Sequence, residues 1–515
     1  MEVNRRLGAV TRARAAGLAG LAVCAAAAYL PALFAWFVAD DFLVLDASSR
    51  FRGIDWAFGH DTGEIGGGGH FYRPIWVSLQ AGLYEVFGGH AAAWHAVNLV
   101  LFALVTIEVW ALARAVLSER RAWIAAGAFA VYPRHGESVA WVTGSTDLVA
   151  VALGLGALVW ALHVRPEWAQ ALGSAVLGGA AVLSKEIAFV IPLLSLIALP
   201  FPRRRRLVVF AALVAAQAAV LVARTVILHG AGGYSEYPWS PGRLVVVAVS
   251  YVLAAFSPPQ LELTRFPVLV LVPLALLALF VWALRKAGSR RAAWIGLAWF
   301  AVALIPGANV AVDLNNSLGE RLLFLPSVGL AIAFAAIIPS LRVWPLVLAG
   351  AVALTLSVLA ARDWVTAGRI AHRTVSQAAR LGPPEGGELM LLTTVEAYRS
   401  ASVLPTSNTL DAALARMARR DLRTSFCSQL YVRHQRRVVQ VTGTGGRFEA
   451  RTTWSAPFDV PVTRRAQALN VDCAYMRAKD SHWPIGLTRE VAITASPPSG
   501  AVLAYFDGHD LRRVG

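Results

Sequence analysis

Residues 203–228 read RRRRLVVFAALVAAQAAVLVARTVIL. Four consecutive arginines lead into an apolar run, residues 207–228, long enough to cross a hydrocarbon core of about 30 Å as a helix. Similar blocks recur from about Leu18 to Leu359, and none follows Arg362. Hydrophobic residues make up 57% of the 515 and charged residues only 15%, with a mean hydropathy of +0.57. A water-soluble globule cannot hide that much apolar surface. The expected fold class is therefore a polytopic α-helical membrane protein, with a membrane domain over residues 1–364 and a soluble α/β domain over 365–515.

The net charge of +16 does not point to nucleic acid, because the basic residues sit in short loops between apolar blocks instead of forming one face or tail. Arg5, Arg6, Arg12 and Arg14 precede the first block. Arg120 with Arg121, the run Arg203 to Arg206, and Arg285, Lys286, Arg290 and Arg291 occupy alternate loops. By the positive-inside rule these are cytoplasmic ends, and so is the N-terminus. Spans are expected near 15–38, 92–117, 122–133, 145–163, 171–185, 187–202, 207–228, 267–284, 292–309, 321–340 and 344–361. Eleven crossings place the C-terminal domain on the extracytoplasmic side, with residues 39–91 as the first outer loop. Arg243 to Phe256, short and followed by Ser257-Pro258-Pro259, is expected as a half-buried helix on the outer side. Only three lysines occur among 47 basic residues, and alanine is abundant, the composition of a GC-rich bacterial genome. The expected location is a bacterial inner membrane.

Leu21-Ala22-Val23-Cys24 faintly resembles a lipoprotein cleavage box, but apolar sequence continues through Phe37 and the valine is bulky, so Cys24 reads as a buried small residue. Cys427 and Cys473 lie in the polar tail, where a disulfide and two free thiols both remain open. The tail alternates strand-like runs (389–395, 437–442, 491–494, 501–506) with a helical pattern over 409–420 carried by Leu410, Ala413, Leu414 and Met417. Acceptor binding, a lid and a structural cap are all open as its role.

On this topology the remaining ionisable residues gather on the outer side. Asp40 and Asp41 close the first span, Arg73 sits in the first outer loop, and His135, Glu137 and Asp147 flank the turn between the third and fourth spans. Lys185 and Glu186 end the fifth, and Asp313, Glu320 and Arg321 precede the tenth. Charged groups at membrane depth are costly, so such a cluster is a functional site by default. Singly, each has a plainer explanation: a helix end for the two aspartates, a local ion pair for Lys185 with Glu186, interfacial anchoring for Arg321, satisfied histidines for His135 and His70. Neither histidine has a partner at metal-ligand spacing.

These residues carry a family resemblance. Phe37-Val-Ala-Asp40-Asp41-Phe-Leu-Val-Leu resembles the acidic segment of the first outer loop of GT-C glycosyltransferases, especially the protein O-mannosyltransferases and the transmembrane and tetratricopeptide-repeat O-mannosyltransferases. In the family's order follow Tyr72-Arg73-Pro74, Phe87-Gly88, Trp94-His95-Ala-Val-Asn98, the stretch from Tyr132-Pro133 through His135, Glu137 and Trp141 to Asp147, Ser184-Lys185-Glu186, and Glu320-Arg321 through Pro326-Ser327 to Gly329. The chain departs from the pattern at Ser145-Thr146, where the family has arginine before the aspartate, and at Tyr132, where it has histidine. No repeat period follows the last span, so the repeat-bearing branch's acceptor recognition is not carried over.

The resemblance implies an enzyme that moves a sugar, mannose in the nearest relatives, from a polyprenyl-phosphate donor to a hydroxyl of a protein or cell-envelope acceptor at the outer membrane face. Such a reaction needs a base for the hydroxyl, in-line positioning, and charge to offset the departing phosphate. By the match, Asp40 is the base, with Asp41 as the alternative. Arg321, and after it Lys185 and Arg73, bind the phosphate. Glu137, Asp147, His135, Glu186 and Glu320 position the acceptor or support these groups. One direct displacement inverts the anomeric centre. No cofactor is expected beyond the lipid-linked donor, and no metal, since Asp40 and Asp41 alone make a poor cage for a hard cation. A transporter or flippase, and a non-catalytic scaffold, are the rival classes; no inverted repeat supports the first.

Overall fold

The computed structural model describes every residue except 1, 64–69, 231, 234–239, 262–266, 286, 313, 315–316, 339–342, 384–386, 427–428, 433–436, 438, 445–446, 453–473, 477–489, 495–499 and 515. The chain resolves into two compact units. The first comprises Met1–Leu33, Arg52–Leu83 and Ala93–Ala361, and the second Phe34–Phe51, Tyr84–Ala92 and Arg362–Gly515.

Among the described residues seven helices are long and apolar enough to cross a membrane: Arg12–Phe34, Ala91–Ala113, Ser145–His163, Arg203–Leu228, Val268–Arg285, Glu320–Ile337 and Trp344–Leu381. The chain is thus a multi-pass membrane protein. Eleven crossings are expected from the sequence, and the other four expected spans fall on helices shorter than a bilayer crossing. Glu119–Ala130 has 12 residues, Glu167–Val182 has 16, Ile191–Ala198 has 8 and Arg290–Ala303 has 14. The segment expected as a half-buried helix near 243–256 is the 15-residue helix Pro241–Ala255, capped by the Ser240 hydroxyl, which accepts the Arg243 N–H.

Within the first unit, Ser145–His163 and Glu320–Ile337 are largely buried, whereas Arg203–Leu228 and Val268–Arg285 expose Val222, Val226, Val268 and Leu271. Such surfaces would aggregate in water but are indifferent to lipid, where association relies on close packing of small residues. Helices Arg290–Ala303 and Phe324–Ile337 meet in this way: a Cβ on Gly329 would stand 2.7 Å from the Phe300 nitrogen and 2.8 Å from the Trp299 Cβ, and one on Gly296 would collide with Gly329 in turn. Gly329→Leu is accordingly expected to cost about 1–3 kcal/mol of stability, read as a lower thermal midpoint in detergent. An unchanged midpoint would mean that this crossing is not tightly packed.

The last apolar helix does not stop where its apolar run does. It continues unbroken over Val343–Leu381, because Trp364, Ala367, Ala371, Val375 and Ala378 recur at helical spacing and are buried. In the second unit the strand Glu388–Leu391 pairs in parallel with both Val502–Phe506 and Arg423–Phe426, and Leu511–Arg513 closes the other edge antiparallel to Val502–Phe506. The run read as one strand over 389–395 bends into a second strand, Thr394–Tyr398, which joins Ala401–Ser402 and Gln429–Val432 in a three-stranded sheet. A separate antiparallel sheet has the order Val439–Thr444, Arg447–Thr452, Glu490–Thr494, Ala474–Met476. The expected helix spans Ser407–Met417 and buries Leu410, Ala413 and Leu414. Cys24 is a half-buried free thiol. Cys427 and Cys473 lie outside the described residues, as does Asp313.

Candidate functional site

The polar centre of the first unit is built at three helix breaks. Pro133 follows helix Glu119–Ala130, and the chain makes a short 3-10 turn over Pro133–His135 and a single helical turn over Gly136–Val139 before Ser145–His163 begins. Gly144 permits the tight return: a Cβ there would lie 2.7 Å from the Ser138 carbonyl oxygen. At the second break Lys185 is extended, between Glu167–Val182 and the 3-10 turn Glu186–Val190. At the third, Gly319 at φ +83 opens the turn Glu320–Leu323. Irregular backbone of this kind is tolerated in a membrane protein where protein surrounds it.

Acid–base contacts tie the three breaks together. The Lys185 ammonium donates to Asp147 Oδ2 at 2.5 Å and is 3.4 Å from Thr146 Oγ1. The Lys185 and Asp147 side chains are 9% and 0% exposed. Glu186 accepts from Arg73 Nη2 and from Arg224 Nη1, each at 2.7 Å. The Arg321 N–H donates to Glu137 Oε2 at 2.9 Å, its guanidinium Nη1 lies 3.5 Å from Glu137 Oε1, and the group stacks 5.2 Å over Trp141. Glu320 accepts the Glu137 N–H at 3.1 Å and faces Arg134 Nη1 at 3.5 Å, both side chains wholly buried. Arg134 also donates to the Ser257 carbonyl at 2.8 Å. Arg73 and Arg321 are both close enough to Lys185 to act on it electrostatically. Burial holds the Glu137 carboxyl above the usual carboxylate range, against the pull of the Arg321 guanidinium and N–H.

Local pairing of Lys185 with Glu186 is thus replaced by three ion pairs to residues distant in sequence, because the extended backbone at Lys185 sends adjacent side chains to opposite sides. Arg321 is an ion-pair member and not only an anchor. His135 is fully buried among Phe102, Phe129, Tyr132 and Phe324, with Nε2 2.8 Å from the Ser327 hydroxyl. His70 is exposed and pairs with Asp61 at 2.6 Å.

Two members do not stand out in the sequence: Arg224 lies inside the apolar run 207–228, and Arg134 inside the motif from Tyr132 to Asp147. A lone arginine in an apolar helix is itself a signal of a buried partner. For Arg134 the signal was weaker, since it stands at a turn.

Asp40 and Asp41 belong to the second unit. Asp41 begins the helix Asp41–Ser49, is fully buried, and its Oδ2 accepts the Val38 N–H at 3.0 Å. Asp40 is the half-buried N-cap residue. Ala39, just before it, has φ +49, a left-handed conformation that costs a non-glycine residue about 1–2 kcal/mol. Its N–H donates to the Val403 carbonyl at 2.8 Å.

No family model matches the chain. It is 34% identical over 187 residues to the protein O-mannosyl-transferase Tmtc1 of Drosophila melanogaster, covering 34% of this chain and 21% of that protein. Against Tmtc2 of the same organism it is 37% identical over 178 residues, 31% of this chain and 19% of that one. The matches therefore span about a fifth of those relatives. Among solved structures it is similar to the Archaeoglobus fulgidus oligosaccharyltransferase (TM-score 0.39, 15% identity, 68% of this chain and 56% of that one). It is also similar to the mycobacterial arabinofuranosyltransferase AftD (0.42, 17%, 79% and 32%) and to ArnT of Cupriavidus metallidurans (0.36, 17%, 81% and 86%). Over about a third of its length, then, this chain resembles the Tmtc protein O-mannosyl-transferases.

Proposed function

We propose that this chain is a GT-C type glycosyltransferase that transfers a hexose, mannose by resemblance, from a polyprenyl-phosphate donor to a hydroxyl of a protein or cell-envelope acceptor. The observation that carries this is the set of cations at the helix breaks of the membrane unit. Arg73 and Arg321 both lie within electrostatic range of Lys185, and each of the three cations is held by a carboxylate, at the ends of apolar helices where a lipid-linked phosphate would arrive. Arginine and lysine bind phosphate through charge-assisted hydrogen bonds, and cations oriented in advance need no reorganisation when charge develops on the leaving group.

Arg321 is the foremost donor-binding residue, with its side chain 24% exposed and its pair contact to Glu137 long at 3.5 Å. Lys185 and Arg73 assist. Glu137, Asp147 and Glu186 hold these cations in place, and Glu320 holds Glu137. Asp40 keeps the role of base on the strength of its motif, with Asp41 second because its carboxylate already closes the turn to Val38. Direct displacement inverts the anomeric carbon and uses no resident metal. The reaction is placed at the outer face of a bacterial inner membrane, with the short apolar helices completing eleven crossings, the N-terminus cytoplasmic and the C-terminal unit outside.

The test is transfer itself. Purified chain in nanodiscs, given radiolabelled polyprenyl-phosphate-mannose and membranes from cells lacking the chain, is expected to move label into protein or glycan, with β-linked product from an α-linked donor or the converse. Label that stays in the lipid while the intact donor crosses a sealed bilayer would instead make the chain a flippase.

A further inference from the structure

The segment that carries Asp40 is built into the C-terminal unit, and three separate contacts within that unit fix it. The first is at an edge of the three-stranded sheet. The Val403 N–H donates to the Glu396 carbonyl at 2.8 Å and the Leu404 N–H to the Val395 carbonyl at 3.2 Å, which leaves the Val403 carbonyl to accept the Ala39 N–H. The bond holds Ala39 in its left-handed conformation one residue before Asp40.

The second is at the long helix. A Cβ on Gly368 would stand 2.6 Å from the Trp36 nitrogen, so the missing side chain is what lets residue 36 lie against the helix. The Trp36 ring meets His372 and Phe42 edge-on, at 4.7 and 5.2 Å between centroids. The third is on the other side of Asp40. Helix Asp41–Ser49, nine residues long, packs on helix Ser407–Met417, and Arg416 Nε donates to Asp46 Oδ1 at 2.6 Å while Arg50 takes the other oxygen. A helix of that length has little stability of its own and takes its position from what it packs against.

We propose that the C-terminal unit is a positioning platform for the base: Val403, Gly368 and Arg416 set where the Asp40 carboxylate stands, and thereby the rate of sugar transfer, without touching donor or acceptor. The inference rests on Asp40 being the base. A general base works only within hydrogen-bond reach of the proton it takes, and a displacement of about 1 Å costs roughly a hundredfold in rate. An aspartate on a short helix after a strained residue would not hold that tolerance alone. Strain next to a functional group persists only where surrounding structure enforces it.

The experiment compares four variants of the full chain in nanodiscs, with polyprenyl-phosphate-mannose as donor and membranes from cells lacking the chain as acceptor. Gly368→Ala is expected to lower kcat at least tenfold and Arg416→Gln about threefold, each with donor KM unchanged and with the pH profile of kcat displaced. Arg416→Lys is expected to recover most of the rate. If Gly368→Ala does not fold, Arg416→Gln decides, because that side chain is 32% exposed and its loss leaves the core intact. Wild-type kcat in Arg416→Gln and Gly368→Ala would overturn the platform. So would a raised acceptor KM at unchanged kcat, which would make the unit an acceptor-binding domain. Asp40→Asn separates the two levels: if it transfers at the wild-type rate, the base assignment itself is wrong, whereas an inactive Asp40→Asn beside fully active platform variants removes the platform alone.

Discussion

Asp40→Asn is expected to lower the transfer rate by about two to four orders of magnitude, the range over which a positioned general base contributes, while leaving donor binding and folding intact. Asparagine keeps the size of the side chain, and no side-chain capping bond to the helix is at stake at this position. What it loses is the ability to take a proton. The matched Asp41→Asn variant is expected to act differently. Asp41 is buried and its carboxylate accepts the Val38 N–H, a bond the amide oxygen can also accept. Its cost is therefore expected mainly in stability and less in rate. The measurement is single-turnover transfer of labelled mannose with donor binding followed separately. Full activity in Asp40→Asn with loss in Asp41→Asn would exchange the two assignments, and full activity in both would remove the acidic segment from the chemistry.

The second large effect separates arginines that build the site from those proposed to serve it. Arg134→Leu leaves Glu320 without the partner it faces and the Ser257 carbonyl without its donor, in a place where both charged side chains are wholly buried. Breaking a pair of that kind costs about 3–5 kcal/mol, a large part of the stability of any domain, so little folded protein is expected. Arg321→Leu removes a half-buried guanidinium from a 3.5 Å contact and leaves the Arg321 N–H bonded to Glu137. The fold is expected to survive and donor affinity to fall by roughly 10- to 150-fold, the value of a charged hydrogen bond or two. Yield after gel filtration and a donor titration tell the two apart. If Arg321→Leu unfolds the chain while Arg134→Leu does not, the structural and binding roles are reversed.

The residues read from the sequence as a functional cluster divide in the structure along a line the sequence does not draw. Arg73, Glu137, Asp147, Lys185, Glu186, Glu320 and Arg321 all lie in the membrane unit, and their partners come from stretches far apart in the chain. Membership was legible because ionisable residues beside apolar runs are too costly to be incidental. Pairing was not. Lys185 and Glu186 are neighbours in sequence, yet one turns to Asp147 and the other to Arg73 and Arg224. Arg224 itself was lost in the apolar run around it, since one charge among some twenty hydrophobic residues barely alters an average.

By itself the sequence determined that this chain lives in a membrane, broadly where its apolar blocks fall, and that the ionisable residues beside them need partners. Those follow from composition and spacing, which need no knowledge of what meets what. Only the tertiary structure decided how many helices are long enough to span unaided, that the final helix runs on into the C-terminal unit as an amphipathic face, and that the segment bearing Asp40 is held by an edge carbonyl, a glycine gap and an arginine from that same unit. The physical reason is plainest for the last: its contacts, Ala39 with Val403, Trp36 with Gly368 and Asp46 with Arg416, join residues more than three hundred positions apart, and such contacts leave no periodic trace in the order of amino acids.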